Sequence, residues 1–205
     1  MKMRAIKTIL VPIDFSKHSR LAIDTAKDLA RRLEASVHLV HVQEFYYPGR
    51  FMAPVPMSIV TYRDDTATRR IRGLRLLAKR SGLNPENNHF LTGAPTFNEV
   101  CNLAREISAD LVVMPTRGYM GLAHLFGGST AERIVQHAPC PVLVARPRVK
   151  TPGRPLVEGS ALESINIILV PVDFSQTSFQ ALEYAIAFAE RMVCLLYTSP
   201  SPRDS

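Results

Sequence analysis

The chain has 205 residues, 46% of them apolar, with 25 Lys and Arg against 18 Asp and Glu for a net charge of +7. That length suits one α/β domain with a remainder, or two small domains, and so much apolar content excludes wholesale disorder. The positive charge leans towards anionic partners (nucleotides, nucleic acid or a membrane surface), although basic exposed faces on a soluble protein account for it first. Cys101, Cys140 and Cys194 lie far apart, with no C-x-x-C pair and no zinc spacing. Three lone thiols fit a reducing, cytoplasmic setting.

The opening "MKMRAIKTILVPIDF" is basic and then apolar, as in a secretion signal. Pro12 breaks its apolar run, Asp14 ends it, and no small-residue cleavage site follows, so no signal peptide is expected. No segment approaches the length of a transmembrane helix, and no membrane partner is expected.

In chain order, "TILVPID" (8–14) predicts a strand buried on both faces. Ser16 can cap the next helix, whose Ala22, Ala26, Leu29, Ala30 and Leu33 form one apolar stripe. "SVHLVHV" (36–42) is a second strand. Residues 45–60 carry three prolines and one glycine and are expected to be a loop, followed by a basic helix over about 62–81. "NHFLTG" (88–93) is a third strand, and Thr96 with Glu99 fits a capping box opening a further helix. "DLVVMPT" (110–116) and "PVLVAR" (141–146) are the fourth and fifth strands. Between them lie a glycine-rich loop and a helix over about 129–137. Strands alternating with helices predict a parallel sheet with helices on both faces. Ligands bind such sheets at the carboxyl ends of the strands.

The chain repeats itself. "ILVPVDFS" at 168–175 matches "ILVPIDFS" at 9–16, and the match continues from Ser19 with Ser178 to Arg32 with Arg191. A Pro/Gly/Arg linker separates the two copies. The second copy is expected to be partial. From Cys194 the run "CLLYTSPSPRDS" shows neither strand alternation nor a helix stripe. It resembles a translated sequencing adapter and is set apart as a non-native tail. The expected division is a domain at 1–147, a linker at 148–164, the truncated start of a second domain at 165–192, and the tail at 193–205.

"PTRGYMGLAHLFGGSTAERI" (115–134) runs from a strand end through four glycines into a helix. A helix N-terminus offers unpaired N–H groups and a positive dipole end to a phosphate. Ser129 and Glu132 also fit a capping box, and both roles can hold together. There is no G-x-x-x-x-G-K-[ST] loop, no G-x-G-x-x-G after the first strand and no G-x-S-x-G elbow. His38 and His41, three apart on a strand, face opposite ways, which argues against a shared metal. No metal site and no catalytic residue is assigned.

Together "ILVPIDFS", "LVHV", the Gly93/Pro95 pair, "ADLVVMPTRG", "GGSTAERIVQHAPCPVLVAR" and the tandem arrangement resemble the universal stress protein family. The resemblance covers about 5–147 as one domain and 165–192 as the start of another. It implies a Rossmann-like three-layer sandwich of the adenine nucleotide alpha hydrolase type, with a five-stranded parallel sheet. It also implies a homodimer through the fifth strand (141–146), and a regulatory role in the stress response. One branch of the family binds ATP through G-x2-G-x9-G-[ST]. This sequence departs from that pattern at its first position. Pro115 stands in place of glycine, while Gly118, Gly128 and Ser129 keep the spacing.

By resemblance, the ligand is ATP, with or without Mg2+. Pro12, Ile13, Asp14 and Val42 would border the adenine, Met114 and Pro115 the ribose, and Arg117, Gly118, Gly128, Ser129 and Thr130 the phosphates. Hydrolysis is expected to be slow or absent, since no base and no pair of metal carboxylates stands out. Asp14 beside Ser16 also reads as a simple helix cap. Three other readings remain. One is a family member that binds no nucleotide and acts through dimerisation and protein contacts. Another is an ATP-pyrophosphatase-type or flavoprotein-like enzyme, against which the absent S-G-G-x-[DS] loop counts. The last is a nucleic-acid binder using Arg63, Arg69, Arg70, Arg72, Arg75, Lys79 and Arg80. A solvated face explains these cations first, and nucleic acid is not the expected partner.

Overall fold

The computed structural model describes residues 5–44, 57–115, 129–145, 167–192 and 195–200, with backbone alone at 57–64, 129, 195–197 and 199–200. The elements are β1 (Thr8–Pro12), α1 (Lys17–Leu33), β2 (Ser36–Gln43), α2 (Met57–Arg80), β3 (Asn88–Thr92) and α3 (Thr96–Glu106). There follow β4 (Leu111–Pro115), α4 (Ser129–His137), β5 (Val142–Ala145), β6 (Ile167–Val172), α5 (Gln176–Met192) and β7 (Leu195–Pro200). The first five strands form one parallel sheet in the order β3-β2-β1-β4-β5. The order reverses between β1 and β4, so the sheet is doubly wound, as the alternating pattern predicts.

Alternation along each strand splits the core in two. Ile9, Val11, Val37, Leu39, Leu111 and Val113 pack with Ala22, Ala26, Leu29 and Leu33 of α1 and with Leu74 and Ala78 of α2. Leu10, Val40, Val112 and Met114 pack on the other face with Val100, Leu103 and Ala104 of α3 and Ile134 of α4. Both faces of the central strands are dry, which is why Ile9, Leu10 and Val11 are apolar in succession rather than at alternate positions. Asp110 is not part of β4. Its carboxylate accepts from the backbone N–H groups of Lys7 and Thr8 at 2.8 and 3.0 Å, tying the start of β1 to the start of β4.

Three local expectations are corrected. Helix α2 begins at Met57, inside the expected loop, because no proline follows Pro56 to stop it. The capping box at Thr96 does not form. Pro95 takes the extended cap position (φ −80°, ψ 150°), so Thr96 is already helical. Its backbone N–H and hydroxyl donate instead to the Glu44 carboxylate, 52 residues away, at 2.8 and 2.5 Å. The third is that a strand forms after residue 194, where none is expected. Residues 195–200 form β7, paired parallel with β6. The register partner lies 28 residues on in both units, Thr8 with Ser36 and Ile167 with Leu195. An unpaired strand edge recruits a neighbour through backbone groups that every residue carries, so side-chain alternation is not required.

The repeat unit does not stand apart. Met192 of α5 is buried in the first core, and Tyr184 and Phe188 pack against it. Helix α5 thus joins the α1 side of the sandwich.

Candidate functional site

The carboxyl ends of β1, β2 and β4 and the start of α4 meet along one edge of the five-stranded sheet, at its point of reversal. Ile13 leaves β1 still bonded to β2, its N–H donating to the Val40 carbonyl at 2.8 Å. Asp14 follows. Its Oδ1 accepts from the Ser16 N–H at 2.9 Å and from the Ser19 hydroxyl at 2.6 Å, while its own N–H donates to Ser19 Oγ at 3.1 Å. Ser16 Oγ in turn accepts from the Ser19 N–H at 3.3 Å and caps α1. Asp14 therefore closes the turn ahead of the helix, and Ser16 rather than Asp14 is the cap of α1. Asp14 is half-buried at the sheet edge.

Beneath this turn is a cluster with no local sequence signature. Phe15 adopts φ 62°, a left-handed backbone rare for a bulky residue. Its ring lies 4.7 Å from the His41 ring and carries the Arg70 guanidinium at 5.2 Å. His41 Nδ1 is 2.9 Å from the Ile13 carbonyl oxygen, and a carbonyl can only accept, so Nδ1 carries the proton. Burial is the main force holding the His41 pKa below its ordinary value; the Ile13 bond and Asp14 pull it up, and Arg70 pushes it down. The imidazole is thus neutral at pH 7 and braces the Ile13–Asp14 turn from below. Residues 13 and 41 are 28 apart in sequence, and only the strand pairing joins them.

Of the sequence-predicted site residues, Pro12, Ile13, Asp14, Val42, Met114 and Pro115 come together at this edge. Pro115 is the last residue of β4, in register with Ala145 of β5. The register with β1 runs only to Val112, so a missing N–H at 115 breaks no bond to β1. Ser129 is the first residue of α4 and Thr130, half-buried, the second. Arg117, Gly118 and Gly128 lie outside the described residues, as does the side chain of Ser129. Val42 ends one residue short of Gln43, whose carbonyl accepts from the Gly93 N–H at 3.2 Å. Glu44 then reaches α3. The β2 end is therefore pinned on the side away from β1.

Among the described residues no group of three or more His, Cys, Asp or Glu is placed to hold a metal, and no helix is long and apolar enough to cross a membrane. On α2, Arg69, Arg72, Arg75, Lys79 and Arg80 point to solvent, as expected of a solvated face. Strand β5 is an edge of the sheet.

The sequence model of the universal stress protein family matches residues 5–146. A putative universal stress protein of Staphylococcus saprophyticus is 28% identical over 147 residues, covering 70% of this chain and 86% of its own length. A universal stress protein of Methanocaldococcus jannaschii is 29% identical over 141 residues, covering 68% and 82%. Among solved structures, the universal stress protein UspA from Lactobacillus plantarum superposes with a TM-score of 0.58 at 22% identity, covering 70% of this chain and all of that one. That likeness is one of fold.

Proposed function

The chain belongs to the universal stress protein family, and on that premise we propose that it is a regulatory protein of the stress response that binds an adenine nucleotide, ATP. One observation carries this reading. Asp14, the end of β2, Met114 and the first turn of α4 converge where the strand order reverses, the place at which open α/β sheets take ligands. In this reading Asp14 and the backbone at Val42 hold the base, and Met114 and Pro115 border the ribose. Arg117, Gly118, Gly128, Ser129 and Thr130 surround the phosphates at a helix start that favours anions. His41 keeps the Asp14 turn in place. In this reading the nucleotide is bound, and it is hydrolysed slowly or not at all.

The test is thermal unfolding of the intact chain with Mg-ATP, with GTP as control. A ligand at a hundred times its dissociation constant adds about 2.7 kcal/mol of stability. The expected result is a rise with ATP, none with GTP, and loss of the rise in the Asp14→Ala/Ser129→Ala double variant. A double variant that still responds like the parent sinks the proposal.

Pro115 favours a second reading, in which the protein binds no nucleotide and acts as a dimer through β5. No response of the parent to millimolar ATP, together with a response in Pro115→Gly, would assign the loss to that residue.

A further inference from the structure

Two histidines outside the candidate nucleotide site face each other across the outer pair of strands. His38 lies on β2 and His89 on β3, displaced by two positions in register, since Val40 is the direct partner of His89. Residues 38, 40 and 89 share the α3 face of the sheet, whereas His41 faces α2. His38 Nδ1 and His89 Nε2 are 3.1 Å apart. The rings are stacked, 5.4 Å between centroids and 15° between planes. Both are half-buried, so water reaches them.

We propose that His38 and His89 are a two-imidazole chelate for an exchangeable divalent transition ion of the zinc or copper type, at the β2–β3 edge of the sheet. Two Zn–N bonds of about 2.0–2.1 Å meeting at a tetrahedral angle place their nitrogens about 3.3 Å apart. The separation found is close to the chelating one, and chelation turns each ring by about 35° off the line that joins the two nitrogens. Without an ion, one nitrogen donates its N–H to the other. With the ion, that donor ring carries its proton on its other nitrogen, and both facing lone pairs go to the metal. Each ring stays neutral overall, so no net proton is released. Burial first, and the mutual repulsion of the two charged forms second, lower the pKa of His38; burial lowers that of His89 against the pull of Glu106 at the end of α3. Both rings are accordingly in their ligating form at pH 7.

Imidazole nitrogens suit zinc, copper and nickel ions, and the absence of a thiolate at the pair argues against a soft monovalent ion. Among the described residues no third His, Cys, Asp or Glu completes the coordination sphere. Water fills the remaining positions, which makes the ion labile. The sequence hides this pair because its members are 51 residues apart.

The experiment titrates the full chain with zinc chloride, and separately with copper sulfate, by calorimetry at pH 7.5. One site is expected, weakened at least tenfold in His38→Gln and in His89→Gln, with the copper-loaded parent showing two coordinating nitrogens by electron paramagnetic resonance. Equal affinity in both variants, or no uptake by the parent below about millimolar metal, overturns the proposal. Should the variants misfold, the parent decides. Zinc must shift the ring resonances of His38 and His89 in its NMR spectrum; shifts confined to His18 or His137 overturn it equally.

Discussion

The units β1–α1 and β6–α5 carry nearly the same sequence and the same turn, in opposite surroundings. In the first, Asp14 Oδ1 accepts from Ser16 N–H at 2.9 Å, Ser16 Oγ accepts from Ser19 N–H, and Phe15 sits at φ 62°. In the second, Asp173 Oδ1 accepts from Ser175 N–H at 3.0 Å, Ser175 Oγ from Ser178 N–H at 3.1 Å, and Phe174 sits at φ 59°. Eight residues of sequence are enough to write this turn twice. Val170, Val172 and Met192 are buried like their counterparts Val11, Ile13 and Leu33, but the other face of the strand differs. Leu10 is 0% exposed and its counterpart Leu169 is 66% exposed. Phe15 is held between His41 and Arg70, whereas Phe174 is 69% exposed. The turn is therefore a local product, and a core is built only where α3 and α4 cover the other face.

The largest break in that symmetry should come from Leu10→Ala against Leu169→Ala. The first opens a cavity in the sealed α3–α4 core and should cost about 2–5 kcal/mol. The second should change global stability by less than about 0.5 kcal/mol. Urea unfolding of the two variants measures both, and similar losses would mean that the second unit is as well packed as the first.

Next comes the pair Ser19→Ala and Ser178→Ala. Ser19 is 1% exposed and bonds both the backbone and the carboxylate of Asp14. Its loss leaves partly buried groups unpaired and should cost about 1–3 kcal/mol. Ser178 donates instead to the Ser175 carbonyl on the surface, and its loss should be near neutral. The same urea midpoints decide.

Between pH 7.5 and 5, acid should act through the histidines of the first unit. His38, His41 and His89 all have lowered pKa values, chiefly through burial, and residues 197 and 200, the counterparts of 38 and 41, are Tyr and Pro. The unfolded chain takes up these protons near pH 6.5, the folded chain only at lower pH. Their contribution is thus complete above about pH 6.5 and is lost as pH falls towards the folded values. His41→Gln should flatten the fall in urea midpoint between pH 7.5 and 5.

The smallest effect is a gain. The Tyr184 hydroxyl is buried where α5 meets the first core, with no hydrogen-bond partner among the described residues. Tyr184→Phe should strengthen that docking by up to about 1 kcal/mol, read as slower amide exchange along α5.

Much of the site was legible because its signals are local. The turn at Asp14, the cap at Ser16 and the helix start at Ser129 each follow from a few adjacent residues. Glu44 on Thr96, His41 under Ile13, and His38 against His89 were not legible, since each joins residues 28–52 apart. Strand register makes these contacts, and no short window contains it.

By itself, then, the sequence determined the order of strands and helices, the repeated Asp-Phe-Ser turn and the doubly buried character of β1, because backbone preference and hydrophobic period act over a few residues. Only the tertiary structure decided that α2 starts at Met57, that a distant carboxylate caps α3, that β7 pairs with β6, and that one copy of the turn lies over a buried histidine while the other faces water. Those outcomes depend on which surfaces the folded chain brings together, and identical stretches of sequence can meet different ones.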